Sequence, residues 1–136
     1  MYLLIGKLHT DDLKSPITSI SVNDDYKTYI ANCLNNTIYL IDYQHGKVLN
    51  HYQDNIHYQH CTYKSEAIYT SDHKYIVSGS ENGMIVHWDL VTANVTQVTS
   101  KDTHFKAISS IAYHPNKPFF ITASYDGTAK IWETIV

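Results

Sequence analysis

The residues able to carry chemistry in this chain are nine His and thirteen acidic side chains, the material of hydrolytic and metal-dependent sites. His57, His60 and Cys61 stand close together, and imidazole and thiolate are zinc ligands. No second pair of Cys or His follows at a ligand spacing and the stretch reads as a loop, so these are better read as surface loop residues, and no metal is expected. His104, Asp126 and the hydroxyls of Thr122 and Ser124 are the residue types of a nucleophile, base and orienting acid. Glycine-rich phosphate loops, paired carboxylate motifs and nucleophile elbows are all missing from the sequence. We therefore expect no enzyme and no cofactor.

The elements that position these side chains are strands, and they repeat. NNTIYLID at 35–42, NGMIVHWD at 82–89 and DGTAKIWE at 126–133 are one segment written three times. Ile41 precedes Trp88 by 47 residues and Trp88 precedes Trp132 by 44, close to the ~40 to 45 residues of a four-stranded propeller blade. Before each segment lies a β-rich run ending in small residues: YIANCL at 29–34, YIVSGS at 75–80 and FFITAS at 119–124. Asn35-Asn36, Asn82-Gly83 and Asp126-Gly127 link the two runs, and such pairs predict tight two-residue hairpin turns. ITSISV at 17–22, EAIYT at 66–70 and ISSIAY at 108–113 supply an inner strand per unit. KVLNHY at 47–52 and NVTQV at 94–98 supply an outer strand in two units, whereas the third reaches Val136 without one.

Composition sets the remaining bounds. Ten Lys plus Arg against thirteen Asp plus Glu give a net charge of -3 with no basic run, which argues against direct binding to nucleic acid or to a membrane surface. The start, MYLLIGKLHT, lacks a basic leader, and no apolar stretch approaches the roughly 20 residues of a membrane span. A soluble protein of the cytoplasm is expected, with the nucleus as a second compartment. The two cysteines, Cys33 and Cys61, are expected as reduced thiols.

On these residues the chain resembles the WD-repeat family, whose blades carry a His at the blade entrance, Ser or Thr in the second strand, Asp in the turn and Trp in the third strand. The resemblance covers residues 14–136 and implies an all-β fold of WD-repeat β-propeller blades, three in number, as a partial propeller or half of an oligomeric ring. It assigns 1–13 to the outer strand of a preceding or partner blade, 14–54 to blade 1, 55–100 to blade 2, and 101–136 to blade 3 lacking its outer strand. In blade 3 it implies a structural relay through His104, Thr122 or Ser124, Asp126 and Trp132, with His104 preceding Trp132 by 28 residues. The hydroxyl then serves a buried network rather than catalysis. Blade 2 keeps Ser78 or Ser80 and Trp88, has Asn82 for the turn Asp, and leaves His57 and His60 as alternatives for the entrance. Blade 1 has Leu13, Asn35 and Ile41 in the His, Asp and Trp slots, so packing must replace its relay.

SPITSISVNDD at 15–25, NNTIYLIDYQHGKVLNHY at 35–52 and SGSENGMIVHWDL at 78–90 further resemble the mitogen-activated protein kinase organizer proteins. Those are complete propellers of about twice this length, so this resemblance implies a C-terminal half. The implied function is non-catalytic scaffolding of kinase-cascade components, with association to pre-mRNA splicing complexes and to an oxygen-sensing prolyl hydroxylase also known in that family. For partner binding, WD propellers point to the residue before the turn Asp: Leu34, Glu81 and Tyr125. Tyr125 leads, as an aromatic able to give much contact area for little rotamer entropy, although it could instead only pack across the turn. Phe105 and Lys106 beside the blade entrance are weaker candidates. A different class of function is self-assembly: two copies supply six blades, and a strand over Tyr2–Leu8 completes the last blade of a partner copy in a homodimer.

Overall fold

The computed structural model describes residues 1–4 and 13–133, and every regular element among them is a strand. The first sheet holds β1 (Ile17–Val22), β2 (Thr28–Cys33), β3 (Thr37–Asp42) and β4 (Lys47–Tyr52). The second holds β5 (Ala67–Tyr69), β6 (Tyr75–Gly79), β7 (Ile85–Asp89) and β8 (Val95–Thr99). The third holds β9 (Ile108–Tyr113), β10 (Phe119–Ser124) and β11 (Ala129–Glu133). Each is an antiparallel meander in chain order, the form of a propeller blade. The strand expected over Tyr2–Leu8 falls mostly on residues outside the described ones; Met1–Leu4 are exposed and in no strand.

The second strands lie in the interior of the sheets. All of β2 after Thr28 is buried, as is β6 after Tyr75, because both faces of a middle strand are covered. The first strands of successive blades touch, β1 on β5 and β5 on β9, so the blades converge along their inner edges. Ile30, Ile38, Tyr52, Tyr58, Ile76, Val86 and Trp88 form the core between blades 1 and 2. Val77, Ile85, Ile108, Ile111 and Phe120 form the one between blades 2 and 3.

The hairpin turns differ from expectation. The chain reverses through three residues, 34–36, 81–83 and 125–127, with Ser80 N–H donating to Met84 O (2.9 Å) and Ser124 N–H to Thr128 O (3.1 Å). Only the third residue of each loop has positive φ: Asn36 at 60°, Gly83 at 85° and Gly127 at 84°. Gly83 N–H donates to Ser80 O (3.0 Å) and Gly127 N–H to Ser124 O (3.1 Å), so these two loops are β-turns closed by a left-handed residue, whereas Asn36 N–H donates to His60 O (2.9 Å) in the blade 2 entry loop. Gly83 is also fixed by space, since a Cβ there would lie 1.9 Å from His104 O.

Candidate functional site

The β2–β3, β6–β7 and β10–β11 loops lie at one end of the blades together with the loops that enter blades 2 and 3, and we call this end the upper rim. Beneath it, counting back 10 and 28 residues from the third-strand slot gives Leu13, Ala31 and Ile41 in blade 1, His60, Ser78 and Trp88 in blade 2, and His104, Thr122 and Trp132 in blade 3.

Blade 3 joins its three positions and Asp126 into one chain of hydrogen bonds. Trp132 Nε1–H donates to Thr122 Oγ1 (2.9 Å), Thr122 Oγ1 lies 2.8 Å from His104 Nε2, and His104 Nδ1 lies 2.9 Å from Asp126 Oδ2. The Asp126 carboxylate can only accept, so His104 carries a proton on Nδ1, and the neutral ring then leaves Nε2 to accept from the Thr122 hydroxyl. Burial alone would raise the Asp126 carboxyl, but the Thr128 hydroxyl and amide and His104 hold it well below the usual carboxylate range. Thr122 is fully buried, which leaves its hydroxyl no access to a substrate. Ser124 stands outside the chain, its Oγ donating to Ala107 O (2.9 Å) and accepting from Asp126 N–H (3.1 Å).

Blade 2 keeps only part of that arrangement. Trp88 Nε1–H donates to Ser78 Oγ at 2.9 Å. His60 has the same 28-residue offset, yet its Nε2 lies 3.0 Å from Thr18 Oγ1 in blade 1, and its Nδ1 is buried without a partner among the described residues. His57 turns instead to Asp54, 3.3 Å away. The place beside Trp88 is taken by Tyr58, packed edge-on at 5.4 Å, with its hydroxyl donating to Asn32 Oδ1 (2.6 Å). Ser80 Oγ accepts from Gln59 N–H (2.8 Å), so Ser80 fastens the entry loop and not the indole. In blade 1, Leu13, Ala31 and Ile41 share one apolar cluster with Tyr29 and Cys33, and Asn35 Nδ2 donates to Leu13 O (3.3 Å).

His57, His60 and Cys61 thus point to three different partners, with Cys61 exposed against Glu81. No group of three His, Cys, Asp or Glu side chains among the described residues could hold a metal ion. A groove of about 590 Å³ lies between blades 2 and 3 away from the rim and includes Asp72, His87, Phe120, Trp132 and Glu133 in its lining.

On the rim, the five expected partner-binding residues fall into two groups. Tyr125 is 50% exposed and Phe105 79%, with Lys106 exposed beside them. Leu34 is half-buried, its N–H bound to Pro16 O (3.1 Å). Glu81 turns its carboxylate inward: Oε1 accepts the N–H groups of Cys61 (2.9 Å), Thr62 (2.5 Å) and Tyr63 (2.8 Å). Burial raises its pKa, but these three donors outweigh that and hold it below the ordinary value. Sequence reasoning missed Tyr63, 52% exposed, whose ring lies 5.5 Å from that of Tyr125 at 45°. The Tyr125 hydroxyl donates to Lys64 O (3.4 Å). This pair ties the blade 2 entry loop to the blade 3 turn. Tyr63 carries no periodic signal, because its 14-residue loop between β4 and β5 has none.

Comparison with known proteins agrees with this geometry. Residues 56–89 and 95–133 match the family model of the WD domain, G-beta repeat. The chain is 32% identical over 129 residues to the WD repeat domain-containing protein 83 homolog of Dictyostelium discoideum, covering 95% of this chain and 38% of that protein. It is 28% identical over 130 residues to the human WD repeat domain-containing protein 83, covering 96% and 39%. Against Pre-mRNA-processing factor 17 of Saccharomyces cerevisiae the identity is 29% over 119 residues, covering 87% and 25%. The chain spans about two fifths of the length of the first of these relatives.

Proposed function

Because this chain belongs to the WD-repeat family, and WD repeats serve as protein-interaction scaffolds, we propose that it assembles components of a kinase cascade through its upper rim. One observation carries the interaction role: large apolar side chains stand exposed on loops whose backbone is pinned by Glu81, Ser80 and Asp126. A pinned loop loses little conformational entropy on binding. The buried hydroxyls and imidazole of the relay have no path to a substrate, which favours binding over catalysis. The kinase-cascade role is supported by the three stretches in blades 1 and 2 that resemble the organizer proteins.

Assembly into a pre-mRNA splicing complex is the second reading, favoured by the similarity to Pre-mRNA-processing factor 17 over 87% of the chain. Capture with the chain as bait, followed by mass spectrometry, separates them. Enrichment of kinase-cascade members supports the first reading, and enrichment of splicing factors replaces it with the second. We place the chain in the cytoplasm, with the nucleus as its second compartment.

Self-assembly is a further reading with its own observation. Ile121 (38% exposed) and Ile131 (71%) of blade 3 occupy the face that Ile30 of blade 1 and Val77 of blade 2 bury against the next blade. A second copy covering that face would form a homodimer. Light scattering over a concentration series tests it, since a monomer at every concentration would eliminate the idea.

A further inference from the structure

The rim residues at the joint of blades 2 and 3 also indicate what kind of partner fits there. Tyr63 comes from the loop entering blade 2, Phe105 and Lys106 from the loop entering blade 3, and Tyr125 from the β10–β11 turn. Fold contacts bring them together. Tyr125 N–H donates to Ala107 O (3.1 Å), Ser124 Oγ lies 3.1 Å from Lys106 O, and the Tyr125 hydroxyl reaches Lys64 O. The result is a contacting pair of exposed rings, Tyr63 and Tyr125, with exposed Phe105 on the adjoining loop, and with the backbone carbonyls of Lys64 and Lys106 bonded to Tyr125 and Ser124.

Charge sorts itself around those rings in one direction. Two carboxylates of this rim are spent: Glu81 on three loop amides, and Asp126 on His104, Thr128 and the Phe105 amide. Lys64 and Lys106 are exposed and have no side-chain partner among the described residues. On a chain of net charge -3, this rim offers open cations beside apolar rings and keeps the Glu81 and Asp126 carboxylates occupied with internal donors.

We propose that the patch of Tyr63, Tyr125 and Phe105, flanked by Lys64 and Lys106, docks an acidic segment of a partner protein, one apolar side chain on the rings and carboxylates on the lysines. Single-stranded nucleic acid is the weaker occupant. Two lysines on an acidic chain give little phosphate neutralisation, and Tyr63 and Tyr125 pack on each other, leaving less ring face for base stacking. The inference rests on the protein-interaction reading and adds the partner's chemistry to it.

The test is an amide NMR titration of the full chain. Its probes are three hexapeptides sharing a central Leu-Trp, flanked on each side by two Glu, two Lys or two Asn, and a uridine hexanucleotide. The acidic peptide is expected to shift the amides of Tyr63, Lys64, Phe105, Lys106 and Tyr125, and to bind about tenfold tighter than the basic one. Lys64→Glu with Lys106→Glu should reverse that order. Phe105→Ala with Tyr125→Ala should weaken the acidic peptide about tenfold while signals elsewhere stay in place, which shows that the variant is folded. Equal binding of acidic and basic peptides, tighter binding of the oligonucleotide, or shifts outside the patch would overturn the proposal. So would patch signals that move with protein concentration alone, since a second copy would then occupy the site. If capture still recovers partners while the titration fails, the interaction reading stands and this inference falls alone.

Discussion

At the blade entrance, the second strand and the third strand, blade 1 places Leu13, Ala31 and Ile41, whereas blade 3 places His104, Thr122 and Trp132. The first set is one apolar cluster with no polar group to satisfy. The second is a chain of hydrogen bonds running to Asp126. Both work because each is complete. A buried polar group costs free energy only when its partner is missing, and removing all partners together can be close to neutral. Blade 2 lies between them, with Trp88 bonded to Ser78, His60 diverted to Thr18, and the His60 Nδ1 unpartnered among the described residues. It compensates with aromatic packing, since Tyr52 and Tyr58 meet Trp88 edge-on at 6.1 and 5.4 Å.

Blades 2 and 3 differ most in how deeply each buries its tryptophan. Trp88 is fully buried in the core between blades 1 and 2, so Trp88→Ala is expected to cost about 3–5 kcal/mol. Trp132 is only half-buried, and Trp132→Ala should cost clearly less. Urea unfolding followed by circular dichroism measures both, and equal costs would show that packing does not distinguish the blades.

Acid should act next, and through blade 2. Burial pushes the His87 imidazole from 6.5 down to about 4, and burial also lowers His60, with Glu81 opposing in part. A histidine held neutral binds fewer protons in the folded state than in the unfolded chain. Its stability contribution is therefore complete above about pH 6.5 and is lost as pH falls toward 4. For His87 the loss approaches about 3 kcal/mol. His87→Leu should flatten the stability curve in that window, whereas the carboxylates with lowered pKa values, such as Asp54 and Asp126, give up their share only at lower pH.

Thr122→Val sharpens the contrast between complete and incomplete relays. It strands the His104 Nε2 and the Trp132 N–H in a dry site, at an expected cost of about 2 kcal/mol. Adding His104→Leu and Trp132→Ile, to copy blade 1, should recover part of that loss in thermal melts. A further loss would mean the apolar solution depends on neighbours that blade 3 lacks.

Much of the fold was legible in the sequence because its signals are local and repeated. The spacing from Ile41 to Trp88 to Trp132, the Asn and Gly of the turns and the apolar middle strands all report on the blade directly. The three-residue loops were not legible, because only the left-handed residue at each third position carries a chemical signature, while Leu34, Glu81 and Tyr125 do not. Spacing also fails to choose a histidine's partner. His60 and His104 share an offset, but Asn82 replaces the turn carboxylate that orients His104, and the loop before His60 reaches back to Asn36, whose Oδ1 accepts His60 N–H at 2.7 Å. The Glu81 clasp and the Tyr63–Tyr125 contact join residues from separate loops, and no pattern in a single segment encodes that.

The smallest expected effect lies at that clasp. Glu81→Gln keeps one acceptor oxygen but removes the charge, so the amides of Cys61, Thr62 and Tyr63 should exchange faster with solvent while the unfolding midpoint barely moves. Unchanged exchange at all three would show that the loop holds itself without the carboxylate.

We propose that the upper rim is where this chain meets other proteins. Its most direct test is quantitative affinity capture with three baits: the unaltered chain, the rim variant Phe105→Ala/Tyr125→Ala, and a control altered at exposed residues of the opposite end, Tyr26→Ala/Val91→Ala. The rim variant should lose the proteins the unaltered chain retains, by about tenfold, and the control should keep them. Retention by the rim variant together with loss from the control would contradict it and move the interaction site to the other end of the blades.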